Sequence, residues 1–214
     1  ANLDRALNVL LQRNLYIGRI VETSGDNDSE LIGVEEGDTP PAMMIPPNFI
    51  ASLQTYTECD CRRLCLKIAK IIKLSHENGM AHRNIHMNNF LIDRMGRVQV
   101  KGLQYAQAVG EGQHCTGHFG YLYNWYAFKA PEIDSEFFHD KSVDLWSLGA
   151  MIYMLLTALP PFRGDGADLI SNKHNGNVVF DIVTPSRPAQ RLVEALLQVN
   201  PSDRLTIEQV LDSE

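Results

Sequence analysis

The side chains best suited to chemistry lie in the stretch Ala81–Asp93, which has the sequence AHRNIHMNNFLID. It combines a hydrophobic strand entry, a polar turn and a strand exit, and the turn carries Asn84, His86 and Asn89. A carboxamide such as that of Asn84 can position a hydroxyl group, but it has no lone pair basic enough to accept the proton. A neutral imidazole such as that of His86 is a poor substitute for a fixed positive charge. The turn therefore predicts polar recognition without strong acid–base chemistry.

Three further motifs follow this turn along the chain: Ala130–Glu132 (APE), Asp144–Gly149 (DLWSLG) and Asn200–Arg204 (NPSDR). Together with the turn, they resemble the motifs of the protein kinase large lobe in order and in spacing. The resemblance implies that Arg83 lies beneath the activation segment and that Arg204 pairs with Glu132. The residues that it assigns to the structural framework are His82, Arg83, Glu132, Asp144, Trp146 and Arg204.

The turn departs from the kinase catalytic loop, whose pattern is H-R-D-L-x-x-x-N, at the proton-accepting Asp, which is Asn84 here. Asn89 keeps the final Asn of the pattern, and His86 stands where many serine/threonine kinases carry a phosphate-facing Lys. Counting on from Asn89, the metal-binding D-F-G falls on Gly102-Leu103-Gln104. Gly102 has no side chain with which to bind magnesium.

These departures predict a pseudokinase, a catalytically inactive protein that acts as a protein-binding scaffold or allosteric regulator. Phosphoryl transfer depends on positioning and on charge neutralisation around the phosphates. Loss of one electrostatic donor typically costs about 10²–10³ in rate. We therefore expect no catalytic residue, no cofactor and no metal ion. Two alternatives stay open: an atypical or weak kinase with His86 or Glu111 as a surrogate base, and a sensor that binds ATP without metal and without turnover.

Residues 1–51 predict a reduced, β-rich small lobe and residues 52–214 a mainly helical large lobe, which together give an α+β, protein kinase-like fold. An amphipathic helix at Asn2–Gln12 and a hairpin of Tyr16–Val21 with Leu31–Val34 precede a third strand at Ala42–Ile45. If this strand matches the kinase strand V-A-I-K, Met44 replaces the Lys that pairs with the ATP phosphates. Four acidic side chains at the hairpin tip would repel a triphosphate.

The sequence between this strand and the next helix is shorter than the kinase resemblance implies. A kinase needs a helix that carries the Glu partner of the Lys, and further strands before its hinge. The sequence shows no pattern for either. Either the small lobe is severely reduced, or a segment between about Pro47 and Ser52 is missing from the chain.

The large lobe shows clear periodic patterns. Apolar residues at a spacing of three to four predict a helix at Asp60–Asn78, and alternation predicts a hairpin of Phe90–Ile92 with Arg97–Val100. The apolar run Leu145–Leu159 predicts a buried helix and is too short and too interrupted to span a membrane. Thr206 and Gln209 form a predicted capping box for the last helix.

Composition narrows the possible partners. The chain has 44% hydrophobic residues and a formal charge of −7, and no Lys/Arg cluster forms a footprint for nucleic acid. The four cysteines are not spaced like a zinc site. Cys61 and Cys65 lie one helical turn apart, and buried free thiols are expected.

A protein partner of unknown identity is expected instead. The predicted activation segment, Ala106–Lys129, is a candidate contact surface because interfaces favour aromatic side chains. The alternative is that these side chains pack inward onto the large lobe. The residues concerned are Phe119, Tyr121, Leu122, Tyr123, Trp125, Tyr126 and Phe128.

Three short segments give a narrower resemblance: Met43–Phe49 (MMIPPNF), Ser52–Tyr56 (SLQTY) and Val98–Gln104 (VQVKGLQ). They resemble the rhoptry kinase-like family of apicomplexan parasites, several members of which are pseudokinases. This resemblance implies secretion into a parasite organelle, a vacuole or a host-facing compartment, where disulfides are possible. A competing resemblance, carried by Leu155–Gly164 (LLTALPPFRG), is to a degenerate calcium/calmodulin-type kinase lobe.

Overall fold

The computed structural model describes residues 43–44, 57–92, 98–110, 113–116, 127–135, 138–164, 167–181 and 183–213. The predicted helix at Asn2–Gln12, the first hairpin, Glu111 and the aromatic residues from Phe119 to Tyr126 lie outside these residues. The described part is mixed helix and sheet. This agrees with the predicted α+β, kinase-like fold class, and the reduced small lobe stays a prediction.

The described residues contain six α-helices, three short 3₁₀ helices and seven short strands. The helices are α1 Glu58–Glu77, α2 Glu132–Ser135, α3 Ser142–Thr157, α4 Ala167–Asn175, α5 Arg187–Leu196 and α6 Ile207–Leu211. The strands are β1 Met43–Met44, β2 Met80–Ala81, β3 Phe90–Ile92, β4 Val98–Val100, β5 Gln107–Ala108, β6 Cys115–Thr116 and β7 Phe138–His139. The sheets have the strand orders β1-β3-β4, β2-β5 and β6-β7.

Helix α1 confirms the helix predicted at Asp60–Asn78, but it begins two residues earlier. The reason is a capping box: Asp60 N–H donates to Thr57 Oγ1 (3.2 Å), and Thr57 N–H donates to the Asp60 carboxylate (3.1 Å). Gly79, with φ of +72°, follows the last turn. The helix buries Ile68 and Ile72 on its inner face, where it packs against α3 and α6.

Helix α3 is the buried helix predicted at Leu145–Leu159, displaced towards the N-terminus. Its side chains are buried on nearly all sides because it lies between α1 and α5. The helix stops at Thr157, and Ala158 adopts a left-handed φ of +63°. Leu159 precedes Pro160, and the residue before a proline is disfavoured in helical conformation. The hydrophobic core of the described residues therefore forms around α3.

The hairpin predicted after the polar turn is present as β3 and β4. Phe90 lies opposite Val100 and Ile92 opposite Val98 in the antiparallel register. Strand β1 adds to the other edge of β3, with Met44 opposite Leu91. The strand predicted at Ala42–Ile45 is present at Met43–Met44. It pairs with β3, the strand that follows the polar turn. Nothing in this pairing identifies Met44 as the replaced lysine, and that assignment stays a prediction.

Three expectations about burial and exposure are also answered. All four cysteines are free, with Cys61, Cys65 and Cys115 buried and Cys59 exposed. None of the described helices combines the length and apolar character that a bilayer crossing requires. Phe128 is only 6% exposed, so this member of the proposed aromatic contact surface packs inward.

Candidate active site

The polar turn is held in place by the first turn of α3. Asp144 is fully buried, and its two carboxylate oxygens accept from His82 N–H (2.8 Å) and Arg83 N–H (2.7 Å). His76, near the end of α1, places Nε2 2.9 Å from the same carboxylate. A buried carboxylate with three close partners is well satisfied. The start of the turn is therefore fixed to two helices.

Arg83 connects the turn to the segment that follows β4. Its backbone is left-handed, with φ of +66°, a conformation that costs a non-glycine residue about 1–2 kcal/mol. Its Nη1 donates to Gln107 Oε1 (2.8 Å) and its Nη2 to the Thr116 carbonyl (3.1 Å). The Gln107 oxygen also accepts from Thr116 N–H (3.0 Å). Arg83 thus lies against the predicted activation segment, as the sequence indicated.

Three positions of the kinase pattern lie close together: Asn84 and Gly102, which depart from it, and Asn89, which keeps it. Asn89 Nδ2 donates to the Asn84 carbonyl (2.8 Å). Gly102 is left-handed, with φ of +79°. A Cβ atom at Gly102 would lie 2.2 Å from Asn89 Nδ2 and 2.9 Å from Asn84 Nδ2. The amide of Asn89 therefore fills the space that a side chain at position 102 would need.

His86 lies beside these amides and is 3% exposed. Its Nε2 is 2.7 Å from Asn89 Nδ2. Burial, together with the charge on His82, lowers the pKa of His86 to about 3. The imidazole is therefore neutral at physiological pH, and its Nε2 lone pair faces an amide N–H. This environment argues against His86 as a surrogate base, because a base must be available and basic near the working pH.

The described residues do not fit a divalent cation at this turn. Asn89 keeps the neutral amide with which the kinase pattern binds magnesium, but Asn84 carries no charge, Gly102 supplies no ligand, and the space beside Gly102 is occupied by an amide nitrogen. No group of three or more His, Cys, Asp or Glu side chains in the described ranges is placed to hold a metal ion. Mg²⁺ prefers carboxylate and phosphate oxygens. What the turn can do chemically is orient polar groups through hydrogen bonds.

Arg204 stabilises a second part of the described residues, through contacts with Glu132 and Trp146. Both of its Nη atoms donate to the Glu132 carboxylate, at 2.6 and 2.7 Å, and both groups are buried. Its guanidinium lies 5.0 Å from the centre of the Trp146 ring, which in turn stacks on Phe162. The predicted pair Arg204–Glu132 therefore forms. It joins α2 to α3 and to the loop before α6.

The profile of the protein kinase domain matches residues 44–214 of this chain. The chain belongs to the protein kinase family. Among its curated relatives, the serine/threonine-protein kinase PEPKR2 of Arabidopsis thaliana is 33% identical over 161 residues, 73% of this chain and 33% of the relative. The serine/threonine-protein kinase PLK4 of Drosophila grimshawi is 31% identical over 163 residues, 73% of this chain and 20% of the relative.

A third relative is the calcium-dependent protein kinase 22 of Oryza sativa subsp. japonica, 31% identical over 166 residues, 73% of this chain and 28% of the relative. The chain thus spans a third or less of these kinases. Their names correct the prediction of an inactive scaffold that is not an enzyme, because the family and its named members are kinases. Charges are missing at Asn84 and Gly102, but the hydrogen bonds that position the loop are kept.

Two residues of this kinase site had no clear signal in the sequence. His76 lies inside the periodic pattern of α1, and only the fold shows that it meets Asp144, 68 positions away. Lys141 donates from Nζ to the His76 carbonyl (2.7 Å) at the end of the same helix. The motif Asp144–Gly149 indicates that Asp144 is structural, but it does not identify His76 or Lys141.

Gly102→Ala is expected to destabilise this kinase domain by more than about 1–2 kcal/mol, the cost of a left-handed non-glycine residue alone. The new methyl group must also displace the Asn89 amide. Gly102→Asp is expected to fail in the same way and not to restore a metal ligand. Urea unfolding measures both effects. Gly110→Ala is the control, because only the exposed Gln113 side chain must move there; an equal loss in both variants would contradict the prediction.

Stability is expected to fall as the pH drops below about 6.5. Burial lowers the pKa of His82 and of His86 in the folded state, so the unfolded chain binds more protons between the folded pKa and about 6.5. Each such histidine can cost up to about 1.4 kcal/mol per pH unit in that window. Burial opposes ionisation of Asp144, but the His76 hydrogen bond and the His76 and His82 charges lower its pKa. Its contribution is therefore lost only below about pH 4.

Urea unfolding at a series of pH values between 8 and 4.5 tests this expectation. The urea concentration at the midpoint of unfolding should not change with pH above 7 and should decrease below pH 6.5. His86→Gln should reduce the slope, whereas replacement of the exposed His174 should leave it unchanged. A wild-type midpoint that stays constant down to pH 5 would show that these histidines are not held neutral.

Proposed function

We propose that this chain is part of an atypical serine/threonine protein kinase with a low rate of phosphoryl transfer. The observation that carries the proposal is the anchoring of the catalytic loop: Asp144 fixes the backbone of His82 and Arg83, and Asn84 follows directly. Family membership and the names of the relatives support the reaction type. The low rate follows from the neutral side chains at the positions of the base and the metal ligand.

In the proposed reaction, the hydroxyl oxygen of a Ser or Thr residue forms a bond to the γ-phosphorus of ATP. The bond to the bridging oxygen breaks, ADP leaves, and the hydroxyl proton passes to an oxygen of the transferred phosphoryl group. Asn84 orients the hydroxyl by hydrogen bonding and does not take the proton. Because the transition state is loose, most of the catalysis comes from positioning and electrostatics, and a weak reaction tolerates the absence of a base.

A second candidate is a nucleotide sensor that binds ATP without metal and without turnover. The packing of Asn89 into the space beside Gly102 favours it, because this packing leaves no room for a metal ligand there. Thermal shift with ATP, in the presence and absence of magnesium, combined with the transfer assay below, separates the two. A metal-independent shift without transfer would favour the sensor.

Transfer of labelled phosphate from ATP to a Ser/Thr peptide library tests the kinase proposal. The purified protein is compared with Asn84→Leu, which keeps a similar volume but lacks the amide. The wild type should transfer phosphate about tenfold faster than the variant, the factor expected for one oriented neutral hydrogen bond. Wild-type transfer no faster than that of the variant would contradict the proposal.

The narrower relationship to rhoptry kinase-like proteins, and secretion with it, stay predictions. Of the three segments that carry the resemblance, Val98–Gln104 lies wholly within the described residues, where it forms β4 and the Gly102 turn. A protein partner also stays a prediction. Localisation of the tagged protein in its native cell tests secretion, and retention in the cytosol would contradict it.

A further inference from the structure

Lys101 lies between the end of β4 and the Gly102 turn. Its backbone N–H donates to the Asn89 carbonyl at 2.7 Å. In the register of β3 and β4, Phe90 lies opposite Val100, so the next pair outward is Asn89 opposite Lys101. This hydrogen bond therefore continues the antiparallel pairing by one residue, and it fixes the backbone of Lys101 beside that of Asn89.

The pairing also sets the face of the sheet on which the Lys101 side chain lies. Directly opposite residues of an antiparallel pair have their side chains on the same face, whereas successive residues along a strand alternate. Val98 and Val100 are buried in the hydrophobic core, while Gln99 and Lys101 are only partly buried. The side chain of Lys101 thus shares with Asn89 the face that is turned away from this core.

The ammonium group of Lys101 supplies positive charge at this face. Within the part of the chain that the structure describes, it makes no hydrogen bond and no ion pair. Arg83 is directed towards the predicted activation segment, where its Nη1 donates to Gln107. Burial lowers the pKa of His86 to about 3, so that ring is neutral at physiological pH. Lys101 is therefore placed to provide a charge beside Asn89.

A nucleotide polyphosphate at this site needs positive charge. In the kinase pattern, this charge comes from metal ions held at the positions of Asn89 and Gly102, and from a Lys that Met44 is predicted to replace. Asn89 is neutral and Gly102 has no side chain. A lysine ammonium is a compact charge on a flexible four-carbon stem, and it binds phosphate groups in other nucleotide sites.

We propose that Lys101 is a phosphate-binding residue: its ammonium group pairs with the polyphosphate of a bound nucleotide beside Asn89 and Gly102, in place of a metal ion. The ligand class is a nucleoside di- or triphosphate, because an uncharged nucleoside offers no anionic group to the ammonium. The inference rests on the proposed function, which places a nucleotide here, and adds the residue that neutralises its charge. It agrees with a loop that does not fit a divalent ion.

Calorimetry with ATP and with adenosine, both in the presence of chelator, tests the inference. Lys101→Met keeps the unbranched stem and loses the charge, while the backbone bond to Asn89 is retained. ATP should bind this variant about tenfold more weakly than it binds the wild type, the low end for a hydrogen bond to a charged group. Adenosine should bind both proteins equally. An unchanged affinity for ATP, or an equal loss for adenosine, would overturn the inference.

Two control variants accompany this measurement. Lys101→Arg keeps the charge and should bind ATP within about threefold of the wild type. Lys70→Met removes an exposed lysine of α1 and should leave the affinity unchanged. A tenfold loss in Lys70→Met as well would show a general effect of charge and would contradict a role for Lys101.

A measurement on the wild type needs no variant to fold. ATP should protect Lys101 from an amine-acylating reagent, as located by mass spectrometry of its peptides, and adenosine should not. A Lys101 that reacts equally with and without ATP would overturn the inference. Phosphate transfer is assayed separately: if ATP binding depends on Lys101 but no phosphate is transferred, only the kinase proposal fails. If the wild type transfers phosphate and Lys101→Met binds ATP equally well, only this inference fails.

Discussion

Asn84→Asp is expected to raise the rate of phosphoryl transfer by on the order of 10²-fold, the low end of the range for general acid–base catalysis. The loop backbone at this position is already held by Asp144 through His82 and Arg83. The substitution exchanges an amide NH₂ for a carboxylate oxygen of nearly the same size. It therefore supplies the group that takes the hydroxyl proton without a need to rebuild the loop.

The measurement is kcat for peptide phosphorylation at saturating ATP, with Asn175→Asp as the matched control. Asn175 is an exposed residue at the end of α4 and undergoes the same chemical change away from the loop. A gain in both variants would indicate a general effect of charge. No gain in Asn84→Asp would mean that the loop does not present position 84 to a substrate hydroxyl.

Arg204→Ala is expected to lower the free energy of unfolding by about 3–5 kcal/mol, because it leaves the buried Glu132 carboxylate without its charge partner. All five N–H donors of Arg204 are used: two bond Glu132, and the others bond the carbonyls of Gln198, Ser142 and Val199. The loss also removes the guanidinium from the face of the buried Trp146 ring. One substitution thus breaks every one of these contacts at once.

Urea unfolding of Arg204→Ala against Arg163→Ala measures this effect. Arg163 forms a similar bidentate ion pair with Asp181, with N–O distances of 2.7 and 3.0 Å. The side chains of Arg163 and Asp181 are, however, 42% and 48% exposed. Exposed pairs contribute about 0–1 kcal/mol, so the control should lose little. Replacing Glu132 and Arg204 together by Leu should cost less than Arg204→Ala alone if the unpaired charge dominates. Equal losses for Arg204→Ala and Arg163→Ala would contradict this explanation.

The sequence predicts those parts of the fold that depend on local pattern. Helix α1, the β3–β4 hairpin and the Thr206–Gln209 capping box follow from spacing and from capping chemistry alone. The Arg204–Glu132 pair follows from the resemblance, since its partners are 72 residues apart. The predicted start of α1 is two residues late because Thr57 caps the helix, which begins at Glu58.

The contacts inside the site cannot be predicted from local sequence patterns. That Asn89 fills the space beside Gly102, and that His86 accepts its N–H, depends on how two loops approach each other. The prediction of an inactive protein is wrong for a related reason. It counts Asn84 and Gly102 as lost charges, while the hydrogen bonds that still position the loop are not visible in the sequence.

The idea that substrates are held at this loop without a metal ion is tested most directly by calorimetry of ATP binding with saturating magnesium and with chelator. Because the described residues do not fit a divalent ion, the affinity of the wild-type protein should differ by less than about threefold between the two conditions. Tightening by magnesium of more than about tenfold, or roughly 1.4 kcal/mol, would contradict a loop that works without a metal ion.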